Sequence, residues 1–239
     1  MTRRKLNFKQ ILILLLLCYF PFFTTTAQQT GEDFNTWTRK GRDFIGLNFS
    51  VAHQEGTNVN RLVTNFTELY SLEWAVRMYG GHFIKDNMTL GALFEWDQKN
   101  EDRTFEQDGK TVKAHLFSRT FLAGPTFRSY LPLSKNNRVG IFNEANLLFG
   151  YGKTVEQSDD GSEISRGVSN SYNLRLGLSP GINFFISQGW AFELSLALLG
   201  LETKVTTSDS DGVESRVFSN DVNFSVNILS LKLGVTKYF

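Results

Sequence analysis

The sequence predicts an all-β protein: an eight-stranded antiparallel up-and-down β-barrel that spans a membrane. Apolar and small or polar residues alternate over eight segments, the connections alternate between long and short, and one face of the segments is almost entirely apolar. Strict alternation is the period of a β-strand. The aromatic content of 14%, with 22 Phe and 20 Gly, also favours strands over a helical bundle.

The composition excludes several classes of protein. The 239 residues are 41% hydrophobic and 21% charged, which excludes a disordered chain. A net charge of +1 excludes a strongly basic nucleic-acid binder, so we expect no nucleic-acid partner. The single cysteine, Cys18, excludes an intramolecular disulfide and a Cys-based zinc site.

The first 27 residues have the pattern of a cleaved secretory signal peptide. Residues 1–10 are basic without an acid, Ile11 to Phe23 is nearly all apolar, and a small-residue exit ends at Ala27. Residues 28–42 then form an N-terminal periplasmic lead, and residues 43–239 form the barrel domain. No apolar run after residue 27 is long enough for a transmembrane helix.

Eight segments carry the alternation. The predicted strands are Asp43–Gln54, Thr67–Phe83, Met88–Asp97, Ala114–Leu131, Val139–Thr154, Val168–Phe185, Trp190–Glu202 and Asp221–Phe239. The sixth is typical: Leu174 and Leu176 alternate with Asn173 and Arg175. In the eighth the alternation slips near Ile228-Leu229, which predicts a β-bulge there.

The two faces of these strands predict which side meets lipid. One face is Leu, Phe, Ile, Val, Trp and Tyr, and the other holds Gly, Ser, Asn and single charges. A soluble lipocalin-like barrel, the alternative, would put the large apolar side chains inside, where eight strands leave little room for them. Lipid outside and a small polar lumen accounts for both faces.

The connections follow the order long, short, long, short, long, short, long. In a meander this places the long connections at one rim and the short turns at the other, as in outer-membrane barrels. Three of the long connections contain Asp-Gly, at Asp108-Gly109, Asp160-Gly161 and Asp211-Gly212. Because Asp-Gly suits a tight hairpin turn, we expect hairpin ladders that project beyond the membrane.

Balanced charges are predicted on the inward face. These candidate lumen ion pairs are formed by Glu73, Arg77, Glu95, Arg128, Glu144, Arg175, Glu193 and Lys232. Unpaired charges in a confined lumen are costly, so we expect them to pair and plug the barrel. An ion-conducting lumen is the alternative.

The chain resembles the small outer-membrane β-barrels of the OmpA/OmpX/porin-like type of Gram-negative bacteria. The resemblance covers about residues 43–239 and rests on the order of the signal peptide, the strands and the C-terminus. It implies a C-terminal assembly signal, read by the barrel-assembly machinery, at Leu231, Leu233, Val235 and Phe239. Lys237 departs from that pattern. The resemblance also implies residence in the cell outer membrane, with its lipid and lipopolysaccharide as partners.

Aromatic girdles are expected where the barrel leaves the lipid, because amphipathic rings prefer the headgroup zone. The candidates are Tyr70, Trp74, Trp96, Tyr151, Tyr172, Trp190, Tyr238 and Phe239.

Catalytic motifs are sparse. The three histidines, His53, His82 and His115, lie in different strands, and none belongs to a known catalytic motif. His53 and His115 could approach the outer rim, where lipid A-modifying barrels carry their catalytic residues, but we expect surface histidines. The sequence therefore predicts a non-enzymatic structural or surface-interaction protein, with no cofactor or metal site and an unknown extracellular ligand. A narrow pore and a lipid A-modifying enzyme are the alternatives.

Overall fold

The computed structural model describes residues 34–60, 65–107, 110–133, 138–161, 164–187, 189–210, 213–224 and 231–239. The predicted signal peptide, its cleavage site, the first part of the lead and the Ile228-Leu229 slip lie outside these residues. The elements are α1 Phe34–Trp37, β1 Asp43–Asn60, β2 Asn65–Lys85, β3 Met88–Gln107, β4 Lys110–Pro132, β5 Val139–Asp159, β6 Ile164–Ser187, β7 Trp190–Ser195, β8 Leu199–Ser210, β9 Val213–Phe224 and β10 Lys232–Tyr238.

The predicted antiparallel up-and-down barrel of eight strands is confirmed. Strands β1 to β7 pair in sequence, and β10 pairs with both β7 and β1, so that eight strands form a closed ring. Two walls of this ring are each built from two segments. The seventh predicted strand is divided into β7 and β8, and the eighth into β9 and β10.

The break between β7 and β8 is a register shift. Leu194 pairs with Ile182 of β6, and Leu201 pairs with Leu176 of the same strand. The segment from Leu194 to Leu201 is therefore one residue longer than the stretch of β6 that it pairs with. The extra residue is accommodated at residues 196–198, where Leu196 and Leu198 still donate backbone hydrogen bonds to β6. Inward positions are therefore odd-numbered in β7 and even-numbered in β8.

A similar change of face separates β9 from β10. Phe218 of β9 pairs with Val205, which pairs with the outward Tyr172, so even positions of β9 face out. In β10 the outward residue is the odd-numbered Leu233. The parity of the outward positions therefore differs between β9 and β10, and the predicted position of the bulge lies outside the described residues.

The strands are longer than the alternation alone indicated, because most residues of the predicted long loops are paired in antiparallel β-ladders. Strands β3 and β4 pair from Met88 and Ser129 up to Gln107 and Lys110, and β5 and β6 pair up to Asp159 and Ile164. At the opposite rim, β2 and β3 are joined by Asp86 and Asn87, with φ +62° at Asn87. We call these rims the long-hairpin end and the short-turn end.

Toward the long-hairpin end, the wall between β9 and β1 is less regular than the other walls. Among the described residues, β9 pairs with β8 alone, and β1 beyond Phe49 pairs with β2 alone. Among the described residues, the pairing of β10 with β1 that closes the ring therefore lies in the short-turn half of the barrel. No helix in the described parts of the chain is long and apolar enough to cross a membrane.

The N-terminal segment packs against the short-turn end. Gly41 N donates to Phe83 O, Asn87 N donates to Thr38 O (2.7 Å), and Trp37 packs against the buried aromatic cluster. Gly189 has φ +77°, and a Cβ there would lie 2.5 Å from Tyr238 O and 3.0 Å from the Trp37 ring. The tight turn beneath Trp37 thus requires glycine.

Candidate functional site

The lumen has an aromatic floor at the short-turn end and a charged layer above it. The floor consists of Phe44, Tyr79, Phe83, Tyr130, Phe142, Phe185 and Tyr238, all buried. We call the six charged residues above it the charged cluster: Arg77, Glu95, Arg128, Glu144, Arg175 and Glu193. All six were predicted lumen residues, and the structure brings them into one connected network.

Arg128 of β4 lies where the charged cluster meets the floor. Its Nε donates to Glu144 Oε2 (2.7 Å) and its Nη1 to Glu193 Oε2 (3.0 Å). The guanidinium also stands over the rings of Tyr79 and Phe142, 4.0 Å and 4.8 Å from their centroids. The residue is 0% exposed, so its charge is balanced by carboxylates and ring faces.

Arg77 of β2 connects two acids. Its Nη2 donates to Glu144 Oε1 (2.8 Å), and its Nε lies 2.7 Å from Glu95 Oε2, in the geometry of an ion pair without an aligned hydrogen bond. Glu144 therefore receives both Arg77 and Arg128, one on each oxygen. A carboxylate held between two guanidinium groups is the arrangement that a buried acid needs.

Arg175 of β6 forms the upper edge of the cluster. Its Nη1 lies 2.5 Å from Glu95 Oε1, and its Nε donates to Glu202 Oε2 (3.1 Å). Asp97 Oδ2 lies 3.8 Å from the same Nη1. The Arg175 side chain is 28% exposed, so the cluster opens here toward the long-hairpin end.

Three of these ion pairs join neighbouring strands, and the rest cross the lumen. Directly paired positions hold Arg77 with Glu95, Arg128 with Glu144, and Arg175 with Glu202. The pairs that cross the lumen are Arg77–Glu144, Arg128–Glu193, Arg175–Glu95 and the longer Arg175–Asp97. The network therefore joins opposite walls of the barrel.

Glu193 of β7 connects the charged cluster to the tyrosines of the floor. It accepts hydrogen bonds from Tyr79 (2.8 Å) and Tyr238 (3.1 Å), and the Tyr238 hydroxyl reaches that of Tyr130 at 3.4 Å. The Tyr79 hydroxyl has one proton, and it lies 2.8 Å from Asn48 Oδ1 as well. In the flipped orientation of the Asn48 amide, Nδ2 lies beside the Tyr79 hydroxyl. This buried nitrogen, which otherwise lacks a partner, then donates a hydrogen bond to the Tyr79 oxygen.

Two predicted lumen residues remain outside this network. Glu73 is exposed nearer the long-hairpin end, and no ion pair connects it to another described residue. Lys232 of β10 faces the cluster and interacts electrostatically with Arg77 and Glu95, but it has no ion pair within 4.0 Å among the described residues.

Several lumen residues were missed by the sequence analysis. Glu202 was missed because the shift between β7 and β8 reverses the faces. Asp97 lies on the same face as Glu95 in the predicted third strand, but it was not included among the candidate ion pairs. Tyr79 follows the inward parity of Arg77 and could have been found from it. Tyr238 was predicted in the outer girdle, which is wrong: it is 0% exposed in the floor, because adjacent residues of a strand face opposite ways and Phe239 points outward.

The outer surface carries a continuous apolar belt. Leu174, Leu176 and Leu178 are 39–46% exposed, next to Asn173 and Ser179, which are buried. Leu231, Leu233 and Phe239 of the predicted assembly signal are likewise exposed on this surface. Lys237 shares their face, and its Nζ lies 5.3 Å from the centre of the Trp190 ring.

One row of aromatic side chains runs across four strands on the outer surface, at the side of the belt nearer the long-hairpin end. Trp96, Phe121, Tyr151 and Tyr172 occupy directly paired positions of four strands. Trp96 stacks on Phe121, with ring centroids 5.9 Å apart, and Trp74 packs edge-on against Trp96. The Tyr151 hydroxyl donates to Asn170 Oδ1 (2.6 Å), so its polar tip points away from the belt. We call this row the upper girdle.

The histidines do not converge. His115 lies 2.5 Å from Asp102 and His53 3.7 Å from Glu55 near the long-hairpin end, whereas His82 lies 2.8 Å from Asp43 near the short turns. Within the described residues no group of three or more His, Cys, Asp or Glu side chains could hold a metal ion.

Comparisons with known proteins find structural likeness only. No protein-family model matches the chain. No curated protein matches it either. The attachment invasion locus protein Ail of Yersinia pestis is similar over 84% of this chain and 99% of its own, at 14% identity and a TM-score of 0.33. A major outer membrane protein from Thermus thermophilus is similar over 82% and 99%, at 13% identity and a TM-score of 0.42. These values are low, so the fold is assigned from the strand pairing itself.

Proposed function

We propose that this protein is an integral outer-membrane β-barrel with a plugged lumen and a structural or surface-interaction role. One observation carries the proposal: the large apolar side chains are outside while the buried interior holds arginine and glutamate. Leu131 is 61% exposed and Arg128 is 0% exposed. In water this arrangement would expose a broad apolar surface and desolvate charges for no gain, whereas lipid makes the belt favourable.

The dimensions of the belt support a bilayer. On β5 the outward residues run from Val139 to Tyr151 of the upper girdle. Twelve residues at about 3.3 Å each, tilted by about 40°, span roughly 30 Å, the thickness of the hydrocarbon core. The ladders beyond Tyr151 would then stand outside the lipid, where they can meet other molecules.

The plug is the part of the proposal that separates it from a pore. The plug is supported by the buried aromatic floor at the short-turn end and by the three ion pairs of the charged cluster that join opposite walls above it. We propose no catalytic residue and no cofactor. Export through a cleaved signal peptide, insertion by the barrel-assembly machinery and contact with lipopolysaccharide complete the proposal.

Electrophoresis and conductance together test it. The purified protein should migrate differently in detergent before and after heating, as a detergent-resistant barrel does. In planar bilayers it should then give no stable single-channel steps. Absence of a heat-dependent shift would contradict the membrane barrel, and stable conductance steps from the shifted form would favour the narrow pore.

A further inference from the structure

Two cations lie side by side on the outer surface, and no acidic side chain among the described residues forms an ion pair with either. Arg119 of β4 and Lys153 of β5 are directly paired positions, and both side chains are exposed. Like charges directly opposite each other destabilise a sheet. The Arg119 guanidinium lies 4.6 Å from the centre of the Phe117 ring, which holds it along the outer wall. The pair therefore concentrates positive charge at one place on the barrel.

The neighbouring outward positions do not compensate this charge. The positions directly or diagonally adjacent to the pair on the outer face are Trp96, Gln98, Asn100, Phe117, Phe121, Tyr151, Val155, Val168, Asn170 and Tyr172. None of them is acidic, and neither cation forms an ion pair with a described carboxylate. Another outward base on these strands does have an acid: His115 lies 2.5 Å from Asp102.

The pair has a defined level relative to the upper girdle. Phe121 and Tyr151, a directly paired couple of that girdle, stand two residues from Arg119 and Lys153 on the same strands. Two residues correspond to about 7 Å along a strand. Because girdle rings mark the boundary of the hydrocarbon, the two cations lie at the level of the lipid headgroups.

We propose that Arg119 and Lys153 bind the phosphate of an anionic outer-leaflet lipid, whose acyl chains lie on the belt below. A phosphate between the two cations would relieve their repulsion and accept charge-assisted hydrogen bonds from both. Phe121, Ala123 and Phe149 are exposed on the same strands beneath the pair and offer an apolar surface to the chains. This inference rests on the proposed membrane insertion and names one lipid contact within it.

Native mass spectrometry of the detergent-solubilised protein, titrated with lipid A, tests the site. We expect bound lipid to decrease about tenfold for dephosphorylated lipid A, and also for the double variant Arg119→Gln/Lys153→Gln. The matched control Lys110→Gln/Lys113→Gln removes the same charge from β4 farther from the girdle and should bind as the unmodified protein does. Millimolar inorganic phosphate alone should not displace the lipid.

The results separate this inference from the proposed function. Equal binding of both lipids, undiminished binding by the Arg119/Lys153 variant, or an equal loss in the control would overturn the site. Displacement of the lipid by inorganic phosphate would show a free-anion site and overturn the lipid assignment. Heat-dependent migration is measured on every sample: if it is present while the lipid preference is absent, only this inference fails.

Discussion

At the scale of single residues, buried charge is tolerated here because every arginine of the charged cluster has more than one partner. Arg128 contacts two carboxylates and the faces of two rings, and Arg77 and Arg175 each contact two or more acids. Removing one member of a buried ion pair leaves the other charge desolvated, and that cost exceeds the net value of the pair. Because other arrangements of the strands would leave such charges unpaired, the network favours this one arrangement of the barrel walls.

Replacing Arg128 is the most damaging single substitution that we expect in the lumen. Arg128→Gln should lower the free energy of unfolding by about 3–5 kcal/mol, since Glu144 and Glu193 both lose a cation. Denaturant unfolding in detergent micelles measures this loss. Arg138→Gln, at an exposed rim position, is the control and should change stability little. Equal stability of the two variants would show that the cluster is not an ion-pair network.

At the scale of strands, the wall must come close to the floor at particular points. Gly46 of β1 faces the lumen, and a Cβ there would lie 2.3 Å from the Tyr79 ring. Tyr79 is itself fixed by Arg128 and Glu193, so it cannot move away without disturbing both. By contrast, a Cβ at Gly200 of β8 meets nothing within 4 Å.

Adding one methyl group at these two glycines should therefore have different effects. Gly46→Ala should destabilise the barrel by about 1–3 kcal/mol through overpacking, and Gly200→Ala should be near neutral. Thermal unfolding followed by heat-dependent migration compares the two. A neutral Gly46→Ala would contradict the close packing of β1 on the floor.

The upper ladder of β3 carries a buried acid that should make its stability depend on pH. Glu101 is 0% exposed and forms ion pairs with Lys99 (2.7 Å) and Arg103. Burial by itself raises the pKa of Glu101, but the hydrogen bonds and charges of Lys99 and Arg103 outweigh it and lower the pKa below its ordinary value. A lowered folded-state pKa means that the contribution is present above the unfolded pKa and is lost as pH falls through the folded value.

Hydrogen exchange of the β3–β4 hairpin tests this dependence. Its amides should lose protection as pH falls below about 4, near the ordinary pKa of Glu, after correction for intrinsic exchange rates. Glu101→Gln should remove that component of the pH dependence. Identical profiles for the variant and the unmodified protein would exclude Glu101 as its source.

At the scale of the whole molecule, alternation predicts the barrel and its two faces, but it does not predict which charges meet. Leu174, Arg175 and Leu176 disclose their faces because period 2 is a local property. Contacts such as Arg128–Glu193 depend on the stagger of distant strands, which no local pattern encodes. Glu202 was missed and Tyr238 was misplaced for a related reason: a one-residue shift or a wrong choice of parity reverses a face.

Cysteine labelling in lipid vesicles tests the orientation of the two faces most directly, since the chain after the predicted cleavage site has no other cysteine. Single cysteines are placed at Leu174, Arg175 and Leu176, and also at Leu178 and Ser179, where the buried residue is small and its loss mild. A lipid-soluble thiol reagent should label positions 174, 176 and 178 and spare 175 and 179. Labelling of 175 and 179 with protection of the three leucine positions would mean that apolar side chains fill the interior, and the account of a membrane barrel would be wrong.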